Sequence, residues 1–124
     1  MRAVVFDEYG GPEVLRYTEV ADPELAPGDV LVRVRACAIN HLDLWVRQGL
    51  PRTTGPMPHI LGADVAGEVA MVGDNVDGLA VGDRVFISPG MGCGTCEACR
   101  SGVDNNCINY TILGQQPQGG YAEL

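Results

Sequence analysis

Lysine is missing from this sequence altogether. All eight basic residues are arginine, and they face sixteen aspartate and glutamate residues, which gives a formal net charge of −8. A protein that binds nucleic acid neutralises phosphates with a basic surface, and this acidic balance does not supply one. The composition therefore argues against a nucleic-acid partner.

Long apolar runs are missing as well. The hydrophobic stretches extend over only a few residues, whereas a helix that spans a membrane needs about 20. The segment from Met1 to Asp7 reaches a charge too early to be a secretory signal. We therefore expect a cytoplasmic protein with no membrane partner. The hydrophobic share of 46% indicates a folded domain rather than a disordered acidic tail.

What the sequence has instead is an alternation of apolar and polar side chains, which is typical of half-buried strands. The clearest strand runs from about Asp29 to Ile39, and one face of it carries Val30, Val32, Val34, Ala36 and Ala38. Four further strands are predicted at 2–6, 15–20, 61–72 and 84–87, with glycine-containing turns between them. The fold class is therefore mainly β, a small barrel or sandwich formed by one domain.

Two segments depart from this alternation. Residues 41–48 are predicted to form a short helix, because Leu42, Trp45 and Val46 share one face at helical spacing. Residues 51–58 contain three prolines and are predicted to form an exposed irregular loop, either at a substrate entrance or as a simple connector.

The strongest chemical signal is a group of four cysteines, Cys93, Cys96, Cys99 and Cys107. Their spacing is C-x2-C-x2-C-x7-C, and four thiolates in a tetrahedron are the ligands that Zn²⁺ prefers in structural sites. Gly92, Gly94 and Gly102 allow the tight backbone that such a site requires. Because four protein ligands leave no open position for water, this would be a structural zinc site.

Two other uses of these cysteines stay open. Two disulfides are possible in principle, although cytosolic disulfides are rare. A [4Fe–4S] cluster also takes four cysteines, but its bacterial signature ends in C-x3-C-P, and here the last gap is seven with no proline after Cys107.

With this cluster in hand, the sequence resembles the amino-terminal, GroES-like half of the medium-chain dehydrogenase/reductase superfamily, which includes zinc alcohol dehydrogenases and quinone oxidoreductases. The resemblance covers essentially the whole chain. It depends on the cysteine lobe at about 89–110, on Gly62-Ala63-Asp64-Val65-Ala66-Gly67, on Val81-Gly82-Asp83-Arg84-Val85 and on Ala38-Ile39-Asn40-His41-Leu42-Asp43.

The resemblance implies a partly open β-barrel with short helices and a zinc-binding lobe. Residues 1–124 would be a single but incomplete GroES-like domain, joined in the full-length protein to a Rossmann domain that binds NAD(P). The active site would lie in the cleft between the two domains. The partners would be a small-molecule substrate, the nicotinamide cofactor and further copies of the chain in a homo-oligomer.

The resemblance also shows which family residues are missing. In zinc alcohol dehydrogenases a catalytic zinc takes a cysteine at the position of Asn40 and a histidine at the position of Ala63, and a proton-relay hydroxyl stands at the position of Leu42. Neither Asn40 nor Ala63 supplies a good zinc ligand. Cys37 is expected on the opposite strand face from Asn40, and His59 alone would make a weak site. We therefore expect no catalytic zinc.

Three residues remain as candidates for chemistry near the nicotinamide. Asn40 matches a polar position of zinc-free quinone oxidoreductases, so its amide could orient cofactor or substrate, or it could satisfy backbone groups at the strand end. His41 matches a basic residue that contacts the cofactor pyrophosphate in relatives, or it is a surface histidine that caps the helix. Asp64 matches the glutamate of the zinc motif and could form a polar wall of the cleft, or pair with Arg33 or Arg84.

Three further side chains are assigned structural roles. In relatives the residue at the position of Asp43 supports the zinc-ligand histidine. Because this chain has Ala63 instead of that histidine, Asp43 is better interpreted as a carboxylate that stabilises the amino-terminal end of the helix. Trp45 is predicted to pack in the core, with a substrate-pocket wall as the alternative. Cys37 is predicted to be a small buried hydrophobic residue.

The leading hypothesis is the catalytic-domain portion of an NAD(P)-dependent oxidoreductase with one structural zinc. It would transfer hydride to or from a quinone, an enone, an aldehyde or an alcohol. The alternatives are a zinc-dependent alcohol dehydrogenase with an atypical catalytic site, and a non-enzymatic GroES-like module whose zinc lobe binds other proteins. No dinucleotide fingerprint occurs in these 124 residues.

Overall fold

A computed structural model describes residues 1–51 and 55–124. The strands are β1 (Arg2–Phe6), β2 (Arg16–Glu19), β3 (Val30–Ala38), β4 (His59–Ile60), β5 (Asp64–Val72), β6 (Arg84–Phe86), β7 (Gly90–Met91) and β8 (Thr111–Ile112). The helices are α1 (His41–Arg47) and α2 (Glu97–Arg100), with 3-10 turns at Pro12–Val14 and Asp104–Asn106. The predicted mainly β class and the short helix after β3 are confirmed.

The strands form two antiparallel sheets and a small hairpin. One sheet has the order β2-β1-β4, the other has the order β3-β5-β6, and β7 pairs with β8 at the base of the cysteine lobe. Between the two sheets lies an apolar cavity of about 480 Å³, lined by Val5, Val32, Ile60, Val65 and Leu124 among others. The two sheets therefore form a barrel that is partly open in the described residues.

The last residues of the chain connect the two sheets. Segment 119–123 runs between β1 and residues 60–62, where the Tyr121 amide donates to the Leu61 carbonyl and the Val4 amide donates to the Tyr121 carbonyl. The Glu123 carbonyl in turn accepts from the Val34 amide of the second sheet. These backbone bonds hold Tyr121 in a fixed place beside Gly62.

The predicted strand 61–72 begins later than expected, at Asp64. Gly62 has a φ of +108°, a left-handed conformation that interrupts the extended backbone and that side chains other than glycine rarely adopt. Its amide donates to the Asp43 carboxylate at 3.0 Å rather than to a strand. The chain therefore bends at Gly62, and the residues before the bend form the separate short strand β4.

The alternation predicted for β3 holds only for its first half. The register with β5 shifts between Leu31 and Val32 and again between Val34 and Ala36, and such a shift changes which face a residue occupies. Val32 and Val34 are half-buried, whereas every residue from Arg35 to Ala38 is exposed. The prediction that Cys37 is buried is therefore wrong, because the covered part of the strand ends at Val34.

None of the helices in residues 1–51 and 55–124 has the length and apolar character needed to cross a membrane. Of the predicted loop 51–58, residues 52–54 lie outside the described residues.

Candidate functional sites

The four predicted cysteines come together in one cluster. The Sγ atoms of Cys93, Cys96, Cys99 and Cys107 all lie within 4.8 Å of one another. The hairpin of β7 and β8 closes the base of the lobe, and α2 begins directly after Cys96. Among the described residues this is the one group of three or more histidine, cysteine or acidic side chains that could hold a metal ion.

The backbone around the cluster suits thiolate ligands. The amides of Cys93 and Asn109 donate to the Cys107 Sγ at 3.4 and 3.3 Å, and the Cys96 amide donates to the Cys93 Sγ at 3.4 Å. These bonds place partial positive charge against the sulfurs. Gly92 completes the cradle, because a Cβ at this position would lie 2.7 Å from the Cys99 Sγ.

The cysteines also differ in how readily they ionise. The Thr95 hydroxyl, together with nearby backbone amides, lowers the pKa of Cys93 to about 5. Burial raises the pKa of Cys99 to about 12. Four adjacent thiols do not all ionise at neutral pH without a cation to balance them, so the donor set fits a bound divalent ion.

Zinc fits this cluster better than the two alternatives. A tetrahedron with Zn–S bonds near 2.3 Å has edges of about 3.8 Å, which agrees with sulfurs packed this closely. A [4Fe–4S] cluster would have to place its own iron and sulfide atoms between the cysteines, and sulfurs within 4.8 Å of one another leave no room for them. All five cysteines of the chain are free thiols. When bound, zinc would crosslink the lobe through four ligands without an open position.

The second candidate site lies at the corner where β3 ends and α1 begins. Asn40 is the N-cap of α1, and its side-chain oxygen accepts from the Leu42 amide at 3.1 Å. The Asp43 carboxylate accepts in return from the Asn40 amide at 2.7 Å, which completes a capping box. The helix cap is therefore Asn40, and the alternative that His41 caps the helix is wrong.

The Asn40 side chain also reaches across to β5. Its amide nitrogen donates to the Asp64 carboxylate at 3.0 Å, so two of the predicted site residues are in direct contact. Among the described residues Asp64 forms no ion pair, so the alternative that it pairs with Arg33 or Arg84 is wrong. Ala63 is buried immediately before Asp64 and contributes no ligand atom.

Asp43 is almost fully buried and carries three hydrogen bonds. Its carboxylate accepts from the Asn40 amide, from the Gly62 amide and from the Tyr121 hydroxyl at 2.7 Å. Burial, followed by the Asp43 carboxylate, raises the pKa of Tyr121 above its usual range, so the phenol stays protonated and donates. Sequence reasoning missed Tyr121, because no local pattern connects residues 78 positions apart.

The positions of Trp45, His41 and His59 complete the account of the residues singled out in the sequence. Trp45 is 53% exposed, so the prediction of core packing is wrong: the buried face of α1 carries Asp43, Val46 and Arg47. His41 is exposed, and its ring lies 6.0 Å from the Trp45 ring. His59 is a core histidine that packs edge-on against Phe6 and contacts the Gly114 carbonyl through Nε2 at 3.1 Å.

A surface hollow of about 340 Å³ adjoins the Asn40–Asp64 pair. Asp64, Cys37, Phe86 and Ile87 contribute to its walls. Phe86 is 86% exposed, and Ile39 beside Asn40 is 81% exposed. An acidic side chain, a thiol and large apolar groups thus share one open face, which is the character of a wall of a binding cleft.

The two sheets and the four-cysteine lobe define the catalytic-domain fold of zinc-containing alcohol dehydrogenases. The family described as the alcohol dehydrogenase GroES-like domain matches residues 26–124, and the chain belongs to this family.

Named relatives agree with this assignment. The chain is 36% identical to an NAD-dependent alcohol dehydrogenase of Sulfolobus acidocaldarius, over 99% of this chain and 37% of that protein. It is 42% identical to a D-altritol 5-dehydrogenase of Agrobacterium fabrum, over 100% of this chain and 36% of that protein. The crystal structure of an NAD-dependent alcohol dehydrogenase superposes with a TM-score of 0.95 and 52% identity, over 99% of this chain and 36% of that one. The chain thus spans little more than a third of the relatives it matches.

Proposed function

We propose that residues 1–124 form the GroES-like part of the catalytic domain of a nicotinamide-dependent oxidoreductase that works without a catalytic zinc. The observation that supports this proposal is the Asn40–Asp64 hydrogen bond beside Ala63. The names of the relatives, which include NAD-dependent alcohol dehydrogenases and a quinone oxidoreductase, support an oxidation–reduction reaction without fixing the substrate. The Rossmann domain would lie outside these residues, and a homo-oligomeric state stays a prediction.

The donor set at the corner is the reason for excluding a catalytic zinc from the proposal. A catalytic zinc needs about three protein ligands and an open position. At the corner, Asn40 offers a neutral amide that is already engaged on both sides, and Ala63 offers no ligand atom. The Asp43 carboxylate is buried with three donors, so the candidate ligands that line the hollow are the Asp64 carboxylate and the Cys37 thiol. Two are too few, and in the described residues the four-cysteine cluster is the one place where three or more such groups meet.

Without a metal, the substrate carbonyl has to be polarised by hydrogen bonds. Nicotinamide supplies or accepts the hydride when it is bound. The Asn40 amide nitrogen has two hydrogens, and only one of them is donated to Asp64, so the second can be donated to a substrate oxygen. His41, exposed at the first residue of α1, is proposed to contact the cofactor.

This arrangement favours a quinone or an α,β-unsaturated carbonyl over a simple alcohol. Hydride addition to such an acceptor leaves a delocalised oxyanion, which a single hydrogen bond stabilises until water supplies a proton. Oxidation of an alcohol instead requires loss of a proton from a hydroxyl of high pKa, a step that a zinc ion assists and an amide does not. The exposed apolar side chains of Phe86 and Ile39 suit a flat, conjugated substrate.

The test uses the full-length enzyme with NADH or NADPH and a panel of quinones, enones, aldehydes and alcohols. Asn40→Ala should lower kcat/KM about 100-fold or more, the usual cost of removing one donor to an oxyanion. Asn40→Asp, which keeps the helix cap, should show a similar loss, and Asn105→Ala in the lobe is the matched control.

Chelation separates this proposal from the alternatives. Mild chelation that leaves the four-cysteine zinc in place should leave activity intact. A prompt loss that added zinc restores would favour an alcohol dehydrogenase with an atypical catalytic metal. Absence of any nicotinamide-dependent turnover in the full-length protein would favour the non-enzymatic binding module.

A further inference from the structure

Tyr121 is the one side chain that donates to the buried Asp43 carboxylate in the described residues; the other two donors are backbone amides. Asp43 is only 3% exposed, and a buried carboxylate is tolerated when its oxygens are hydrogen-bonded. Loss of any of the three donors would therefore move the carboxylate or its surroundings.

The Tyr121 hydroxyl spans the corner that carries Asn40. It donates to the Asp43 Oδ2 at 2.7 Å and lies 3.3 Å from the Ala38 carbonyl. Ala38 is the last residue of β3, and Asp43 is in the first turn of α1, so the hydroxyl contacts the chain on both sides of Asn40.

The ring of Tyr121 is held as firmly as its hydroxyl. Its backbone is bonded to Leu61 on one side and Val4 on the other. Its ring packs over Gly62 so closely that a Cβ there would lie 2.6 Å from Cδ1. The phenol is thus a rigid support rather than a free surface group.

The orientation of the Asn40 amide depends on this corner. Its oxygen faces the Leu42 amide and its nitrogen faces the Asp64 carboxylate, and rotation of the amide by 180° would set oxygen against oxygen. Asp43 fixes the backbone from which the amide projects, because it accepts from the Asn40 amide N–H.

We propose that Tyr121 is a positioning residue for the reaction: by donating to Asp43, its hydroxyl keeps the Asn40 amide aimed at Asp64 and at the substrate. The inference depends on the function proposed above for Asn40. In this chain Tyr121 would support a corner that has alanine at position 63, where zinc alcohol dehydrogenases have a histidine.

The test is Tyr121→Phe in the full-length enzyme, which removes one oxygen and keeps the ring. We expect kcat to fall about 10- to 100-fold, because displacement of a reacting group by about 1 Å costs up to about 100-fold. KM for the nicotinamide should change less than about threefold. Tyr17→Phe, on the exposed side of β2, is the matched control and should keep wild-type kinetics.

Two further measurements separate positioning from general structural damage. In an Asn40→Ala background, Tyr121→Phe should cost less than about threefold more, since Tyr121 acts through Asn40. In a crystal structure of Tyr121→Phe, the distance from the Asn40 amide nitrogen to the Asp64 carboxylate should increase from 3.0 Å to beyond hydrogen-bond range.

An unchanged distance, an unchanged kcat or a fully additive double variant would each overturn the proposal. If Asn40→Ala retains full activity, the proposed role of Asn40 fails. The crystallographic distance then decides separately whether Tyr121 orients the amide.

Discussion

Gly92 offers a sharp test of the four-cysteine site, because a side chain added there would collide with a ligand sulfur. A Cβ at this position would lie 2.7 Å from the Cys99 Sγ and 3.1 Å from the Cβ of Asp104. Its φ is outside the left-handed region, so Gly92→Ala introduces a steric conflict without backbone strain.

The size of the conflict follows from the distances. An ordinary contact of a Cβ begins near 3.4 Å, so the new methyl group and the sulfur must separate by about 0.7 Å. A metal site accepts displacements of about 0.2 Å from ideal ligand distances. Overpacking of this kind costs about 1–3 kcal/mol, which corresponds to a rise of about 5- to 150-fold in the dissociation constant for zinc.

The assay is a competition between the protein and a colorimetric chelator of known zinc affinity. The matched control is Gly78→Ala, where φ is +80° and no heavy atom lies within 4 Å of the added Cβ. That variant should lower the unfolding free energy by about 1–2 kcal/mol through backbone strain, with unchanged zinc affinity. Wild-type zinc affinity in Gly92→Ala would refute the assignment of these sulfurs to a tight tetrahedral site.

Two further predictions concern the lobe and the second sheet. Cys107→Ser removes the most buried ligand, so the zinc released on denaturation should fall from one per chain to well below one. The unfolding free energy should fall by about 4 kcal/mol. A full equivalent of zinc in this variant would contradict the site. The Arg35 guanidinium lowers the pKa of Glu68 below its ordinary value of 4.5. The ion pair therefore stabilises the fold above pH 4.5, and this stabilisation is lost as the pH falls through the lowered pKa of Glu68. Arg35→Gln should therefore cost stability at neutral pH and low salt but not in acid, and a cost that is independent of pH and salt in denaturant titrations would contradict this.

The features that local sequence signals encode were predicted well. The cysteine spacing concentrates four ligands within fifteen residues, so the cluster required no knowledge of the rest of the fold. The long strands β3 and β5 follow from alternating side chains, and their bounds agree with the predictions to within a few residues. The two-residue strands β4, β7 and β8 are too short for periodicity to show.

The face of α1 illustrates why the rest was not predictable. Hydrophobic spacing selected Leu42, Trp45 and Val46 as the buried face, whereas the structure buries Asp43, Val46 and Arg47. A carboxylate is buried only where hydrogen-bond donors are present, and one donor to Asp43 is the Tyr121 hydroxyl, 78 positions away in the sequence. The buried Arg47 likewise donates a hydrogen bond from Nε to the Gly10 carbonyl at 3.2 Å. Long-range partners of this kind decide the helix rotation, and periodicity contains no information about them.

The same carboxylate orders the corner through hydrogen bonds that need no catalytic metal. Two of the donors to Asp43 are the backbone amides of Asn40 and Gly62. Position 40 is one of the two positions where zinc alcohol dehydrogenases have a catalytic ligand, and Gly62 directly precedes the other, position 63. Those bonds are made by backbone atoms and do not depend on the side chains at positions 40 and 63. Replacement of both ligand side chains therefore leaves the β3–α1 corner and the Gly62 bend fixed relative to each other. With Tyr121 as the third donor, the hydrogen bonds to Asp43 position the backbone that carries the Asn40 amide, and the side chain at position 63 contributes none of them.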